Sequence, residues 1–169
     1  LQLLGVQKGD VVLCQSLTFI ASVNPVLYLG ATPVFIGSEK ETWNLCPIAL
    51  EEAILNQLNK GIQPKAIVVV HLYGMPAKMN EIITISKKYN IPILEDAAEA
   101  LGSSYDGKPC GTFGDFGVFS FNGNKIITTS GGGALICHSE VAKKKAIFLA
   151  TQSKEDAVHY EHMQVGYNY

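Results

Sequence analysis

Ala66-Ile67-Val68-Val69-Val70 is apolar throughout, Met79 to Tyr89 carries Ile82, Ile83 and Ile85 at helical spacing, and Pro92-Ile93-Leu94 is apolar again before Glu95-Asp96. The first run has the continuous apolar character of a strand buried on both faces. The second places Lys87 and Lys88 in its last turn, where cations suit the helix dipole. Strand, helix and strand in that order form the repeat of a parallel sheet, and the pattern extends in both directions. Upstream, Gly9-Asp10 turns into Val11-Val12-Leu13-Cys14, Thr18 to Leu29 reads as a helix despite Pro25 with Gly30 as its cap, and Thr32 to Ile36 returns as a strand. Pro47 opens a helix through Ala49 to Leu55, with Gly61 beyond its end. Downstream come a Gly-rich stretch from Gly102 to Gly117, the strand Val118-Phe119-Ser120-Phe121, and a polar loop from Asn122 to Ser130. Gly131-Gly132-Gly133 and the strand Ala134-Leu135-Ile136-Cys137 follow, and Val141 to Ala150 is the last helix. The sequence therefore predicts an α/β fold with a mainly parallel sheet and helices on both faces.

Composition limits the function. The chain has 169 residues, 47% hydrophobic and 17% charged, which suits one globular domain or part of one. No apolar run approaches the roughly 18 residues of a membrane span. Thirteen basic against fifteen acidic residues give a net charge of −2 with no basic stripe, so a nucleic-acid partner is not expected. All thirteen basic residues are Lys, so any bound anion must be held by Lys, hydroxyls or backbone N–H groups. Cys14, Cys46, Cys110 and Cys137 are widely spaced without a C-x-x-C pair, which suits free thiols in a reducing cytoplasm. The start at Leu1 and the end at Gly166-Tyr167-Asn168-Tyr169 lead us to expect a fragment.

In an open α/β sheet ligands bind beyond the carboxyl ends of the strands. The residues there are polar: Ser16 and Thr18, His71 and Tyr73, Asp96 and Glu99, Ser120 and Lys125. Asp96 serves equally as a cap for a helix starting at Ala97-Ala98. Lys125 stands in a strand-loop-Gly context unlike the solvated Lys143-Lys144-Lys145, although a surface-loop Lys is the commoner case. An aldehyde cofactor requires a Lys amine on a rigid turn, an acid against a pyridine nitrogen and donors around a phosphate; Lys125, Asp96 and Ser120 meet that demand. Gly131-Gly132-Gly133 and Gly111 to Gly117 match neither nucleotide fingerprint, and positive-φ turns and close backbone packing explain them better. His71 suits a hydrogen-bonded structural role, and His138, His159 and His162 have no metal-ligand spacing, so no metal is expected.

Ser16-Leu17-Thr18-Phe19, Gly30 to Phe35, Thr42-Trp43-Asn44, His71-Leu72-Tyr73-Gly74, Glu95-Asp96-Ala97-Ala98-Glu99-Ala100, Gly114-Asp115 and Phe119-Ser120-Phe121 together resemble the DegT/StrS family of nucleotide-sugar aminotransferases, which depend on pyridoxal 5'-phosphate. The resemblance implies a fold type I large domain with a mixed, mainly parallel sheet. It also implies that residues 1–169 are part of the cofactor-binding large domain, incomplete at both ends, in members roughly twice this length with a smaller C-terminal domain. The loop from Ser120 to Gly133 is most similar to enzymes that aminate C4 of UDP-4-keto-6-deoxy-N-acetylglucosamine on the bacillosamine route.

Carried over by position, the resemblance makes Lys125 the residue that binds the cofactor covalently and moves the proton. Asp96 becomes the partner of the pyridinium nitrogen, and Phe19 the aromatic stacked on the ring, unless it is an ordinary core Phe. Ser120 becomes a donor to the cofactor phosphate, and Asn168 the residue that reaches the neighbouring subunit's phosphate, which implies a homodimer with shared sites. Glu99 stands where many relatives have Gln or His near the phenolic oxygen, so its role is open. Glutamate and a nucleotide-linked keto sugar are the implied substrates. A sensor that holds the cofactor without turnover and a plain α/β binding module are the rival functions; a dehydratase would carry His in place of Lys125.

Overall fold

A computed structural model describes residues 1–168. It divides into two compact units, Leu1–Ile136 and Cys137–Tyr169. In chain order the elements are β1 (Val11–Gln15), α1 (Asn24–Tyr28), β2 (Thr32–Ile36), α2 (Pro47–Asn59), β3 (Ala66–Val70), α3 (Met79–Tyr89), β4 (Ile93–Asp96), β5 (Ser104–Tyr105), β6 (Lys108–Pro109), β7 (Phe116–Ser120), β8 (Gly133–Cys137) and α4 (Glu140–Ala150). Six strands form one sheet in the order β2-β1-β3-β4-β7-β8. The pairings β1/β2, β1/β3, β3/β4 and β4/β7 are parallel, so these five strands end on one edge. β2 lies at the sheet margin, the position at which Pro33, lacking an N–H, is tolerated.

The alternation of side chains divides the core. On one face Leu13, Ile67, Val69 and Ile93 pack with Leu50 and Ile54 of α2 and Met79, Ile82 and Ile85 of α3. On the other, Val12, Cys14, Ala66 and Val68 pack with Val23 and Val26 at α1 and with Val6 near the start of the chain. Strands buried on both faces cannot alternate with polar residues, which is why β1 and β3 read as unbroken apolar runs.

Three expectations change. Thr18–Leu29 is not one helix: a 3₁₀ turn at Ile20–Ser22 precedes the short α1. Pro25, which has no N–H to donate, sits in the first turn of α1 rather than in a helix interior, and Gly30 follows with φ +71°. No helix follows β4; residues 97–102 turn instead, with the Ala100 N–H donating to the Ala97 carbonyl at 2.9 Å. The Gly-rich stretch also contains a small antiparallel hairpin, β5/β6, whose Asp106-Gly107 turn has both φ values positive.

The close-packing explanation of the glycines holds at Gly114 and Gly117. A Cβ on Gly114 would lie 2.7 Å from the Ile93 carbonyl oxygen, and one on Gly117 1.9 Å from that of Gly111. The four cysteines are free thiols, and burial pushes Cys14 up to about 12 and Cys110 up to about 11. Among the described residues no helix is long and apolar enough to cross a membrane, and no group of His, Cys, Asp and Glu could hold a metal ion.

Candidate active site

Asp96 is the last residue of β4, and Val118 of β7 stands beside it in register. Ser120, two residues farther along β7, shares the face of Val118 and Asp96. The polar residues therefore gather where the parallel strands end, as the topology requires.

The Asp96 carboxylate has two partners. Its Oδ2 accepts the Ser22 hydroxyl at 2.6 Å, and its Oδ1 accepts the Ala98 N–H at 3.1 Å. Since Ser22 gives its proton to Asp96, Thr18, 2.8 Å from the Ser22 hydroxyl, donates in turn. Asp96 caps no helix, because none begins there. The Thr18–Ser22 segment that meets Asp96 also carries Phe19, whose side chain is 74% exposed and so is no core residue.

Lys125 lies in the loop between β7 and β8, where its own N–H donates to the Asn122 carbonyl at 3.0 Å. The Thr128 hydroxyl and the Thr129 N–H both donate to the Phe121 carbonyl, which folds the loop back on the strand end. The Lys125 side chain is only 14% exposed and its Nζ is 3.6 Å from Glu99 Oε1, unlike a solvated surface lysine. The second oxygen of Glu99 accepts the Tyr73 N–H at 2.9 Å. Tyr73 has φ +52°, and Gly74 follows so closely that a Cβ there would lie 2.9 Å from the Glu99 carbonyl oxygen. Glu99 is thus the counter-ion of Lys125 and the anchor of the 72–74 turn.

Two clusters emerge: Ser22 with Asp96, on the segment that also carries Phe19, and Tyr73, Glu99 and Lys125. They are joined by the turn that carries both Asp96 and Glu99. Ser120 stands on the adjoining strand, where its Oγ accepts the Asn122 N–H at 3.3 Å. Asn168 is exposed in the second unit. Ser22 was not singled out from the sequence, since a Ser inside an expected helix gives no sign of a contact 74 residues away. His71 takes the hydrogen-bonded structural role that the sequence suggests, against Glu95.

Comparison with known proteins places the chain in a family. Residues 1–169 match the DegT/DnrJ/EryC1/StrS aminotransferase family. EpsN of Bacillus subtilis (strain 168), provisionally named a pyridoxal phosphate-dependent aminotransferase, is 57% identical over all of this chain and 44% of its own length. GDP-perosamine synthase of Escherichia coli O157:H7 is 43% identical over 98% of the chain and 44% of that protein. A crystal structure of a DegT/DnrJ/EryC1/StrS aminotransferase from Brucella abortus superposes with a TM-score of 0.90 at 32% identity, covering 97% of this chain and 44% of that one. The chain thus spans about 44% of the length of these relatives. With the family's match covering every residue, and with the strand order and polar strand ends described above, this chain belongs to the DegT/DnrJ/EryC1/StrS family of aminotransferases.

Proposed function

We propose that the gene product carrying this chain transfers an amino group from glutamate to a nucleotide-linked 4-keto-6-deoxy sugar with pyridoxal 5'-phosphate. The observation that carries this is the pair of held groups at one sheet edge: a carboxylate fixed by Ser22 and a mostly buried amine paired with Glu99. A relative named as a pyridoxal phosphate-dependent aminotransferase and another named as a GDP-perosamine synthase support the reaction class. The 4-keto-6-deoxy position, a UDP carrier and a place in bacillosamine-type glycan synthesis rest on the resemblance of the Ser120–Gly133 loop.

The residues present suit the cofactor. Asp96, with Ser22 and Ala98 already donating to it, is an oriented acceptor for a ring N–H. Phe19 offers an uncovered aromatic face on the segment hydrogen-bonded to Asp96. Ser120 offers a hydroxyl at the end of β7, and Lys125 an amine on a braced loop. When bound, the cofactor supplies an electron sink for the charge left as a proton leaves the donor's Cα.

With the cofactor held there, Lys125 Nζ would be the base that takes up that proton and passes it on, and Glu99 beside it would balance the ammonium that forms. Asp96 keeps the ring nitrogen protonated. Asn168 reaches the partner subunit's phosphate in a homodimer, a reading supported by the exposure of Tyr28 and Trp43. The free thiols fit a cytoplasmic protein.

The test is incubation of the gene product with glutamate and UDP-4-keto-6-deoxy-N-acetylglucosamine, followed by mass spectrometry. An amino sugar and 2-oxoglutarate in equal amounts are expected. A yellow protein that aminates no 4-keto sugar would favour the sensor.

A further inference from the structure

His71 and Glu95 form a fully buried pair on the face of the sheet opposite Asp96. Val69 pairs with Glu95 in the parallel β3/β4 register, and His71, two residues beyond Val69, shares that face. His71 Nε2 lies 2.9 Å from Glu95 Oε2, and both side chains are 0% exposed. His71 Nδ1 accepts the Ala77 N–H at 3.1 Å, which puts the ring proton on Nε2 and makes the neutral ring a donor to Glu95. Glu95 accepts three more hydrogen bonds: from the Gly111 N–H at 2.7 Å on Oε2, and from the Phe113 and Gly114 N–H groups at 2.5 and 2.6 Å on Oε1. Burial alone would push its carboxyl up, but His71 and the amides of Gly114 and Gly111 outweigh burial and hold it below the usual range.

A buried anion with four donors is costly to assemble, and its donors show what it holds. Gly111 packs against the strand and turn beside it: a Cβ there would meet the Phe119 ring at 2.6 Å and Ala97 Cβ at 3.2 Å. Ala77 closes the 72–77 segment, which the Ser103 hydroxyl also holds through the Gly74 carbonyl at 2.7 Å. This segment presents the Tyr73 N–H to Glu99, and Glu99 pairs with Lys125.

We propose that His71 is a positioning residue for Lys125: anchored by Glu95, it holds the 72–77 turn whose Tyr73 amide seats the Glu99 carboxylate against the Lys125 amine. The proposal rests on Lys125 being the amine that takes the cofactor aldehyde. Glutamine can copy both bonds of the neutral imidazole, donating to Glu95 and accepting from Ala77, whereas alanine copies neither.

The test compares wild type, His71→Gln and His71→Ala of the gene product in two measurements. One is amide hydrogen exchange at Tyr73, Ala77 and Gly111 without cofactor. The other is borohydride-trapped labelling by pyridoxal 5'-phosphate, resolved by peptide at Lys125 and at the exposed Lys143, Lys144 and Lys145 as internal controls. In His71→Ala, exchange at Tyr73 and Ala77 rises about tenfold and labelling at Lys125 slows about tenfold, as loss of a bond to a charged group implies, with the control lysines unchanged. His71→Gln restores both. A folded His71→Ala that labels Lys125 at the wild-type rate overturns the proposal, as does a folded His71→Gln as deficient as His71→Ala. If His71→Ala does not fold, the wild-type ring nitrogen shifts decide: protonated Nε2 with unprotonated Nδ1 supports the proposal, and the reverse overturns it. Failure of wild-type Lys125 to label overturns both this and the proposed reaction, whereas a labelled wild type with an indifferent His71→Ala overturns only the present proposal.

Discussion

The Ser22 hydroxyl donates to Asp96 Oδ2 at 2.6 Å, linking the 3₁₀ turn after β1 to the end of β4 across 74 residues of sequence. The contact gives the carboxylate a fixed orientation before any ligand arrives. Ser22→Ala is expected to lower the unfolding free energy by about 1 kcal/mol, the net value of one hydrogen bond to a partly buried acceptor. A double-mutant cycle in urea checks it: the loss should disappear in the Asp96→Ala background. An equal loss in both backgrounds would show that Ser22 acts through something other than Asp96.

Lys125→Ala should abolish cofactor absorbance and borohydride-trapped label in the gene product while leaving its urea midpoint nearly unchanged. The Lys125 backbone already closes a turn onto Asn122, and alanine keeps that bond. The side chain contributes one ion pair at 3.6 Å, a distance at which stability gains are small. Retained trapping at another lysine would move the reactive amine elsewhere.

The pH dependence of one surface turn follows from Glu39. Burial raises its pKa, but the Thr42 hydroxyl, the Glu41 and Thr42 amides and the Lys78 ammonium outweigh burial and hold it down at about 2. Its folded value lies below the roughly 4.3 of an unfolded Glu, so its stabilising effect is complete above that pH and is lost as pH falls toward about 2. Glu39→Gln should therefore be less stable than wild type at pH 6, with the gap closing between about pH 4.3 and 2. Trp43, the only tryptophan, sits beside this turn at φ +62°, and its fluorescence reports the change. A gap that persists at pH 2 would contradict the assignment.

The parallel sheet was legible because burial on both faces leaves its mark on every residue of β3, and α3 announces itself by spacing and by Lys87 and Lys88. The β5/β6 hairpin was marked only by Asp106-Gly107, because two-residue strands offer too little alternation to stand out beside so many glycines. The split of Thr18–Leu29 was signalled by Pro25. Asp96, Glu99, Tyr73 and Lys125 could be picked out by residue type at strand ends, but Ser22 and the contacts among them could not. Ser22 and Tyr73 meet them only after the sheet is assembled, and the Tyr73 contact is made by a backbone amide, which no side-chain pattern encodes.

The backbone packed against Gly117 supports a last prediction. Gly117 lies within β7, between Glu95 of β4 in register and the segment that returns from the hairpin. A Cβ there would lie 1.9 Å from the Gly111 carbonyl oxygen and 2.9 Å from Gly111 Cα. Both are backbone atoms, so no rotamer change can relieve the clash. Nor can the segment withdraw freely, because the Gly111, Phe113 and Gly114 amides are all committed to Glu95. Moving it far enough would break bonds to a buried carboxylate, each worth about 1.5–3 kcal/mol when charged. Gly117→Ala should therefore destabilise the chain by at least about 3 kcal/mol, far beyond the few tenths to 1 kcal/mol that Gly-to-Ala changes usually shift. Gly131→Ala is the control: its Cβ would meet nothing within 4 Å. Urea unfolding of the two variants beside wild type measures the difference, and a Gly117→Ala midpoint equal to that of Gly131→Ala would mean that the 111–114 segment is not held by Glu95.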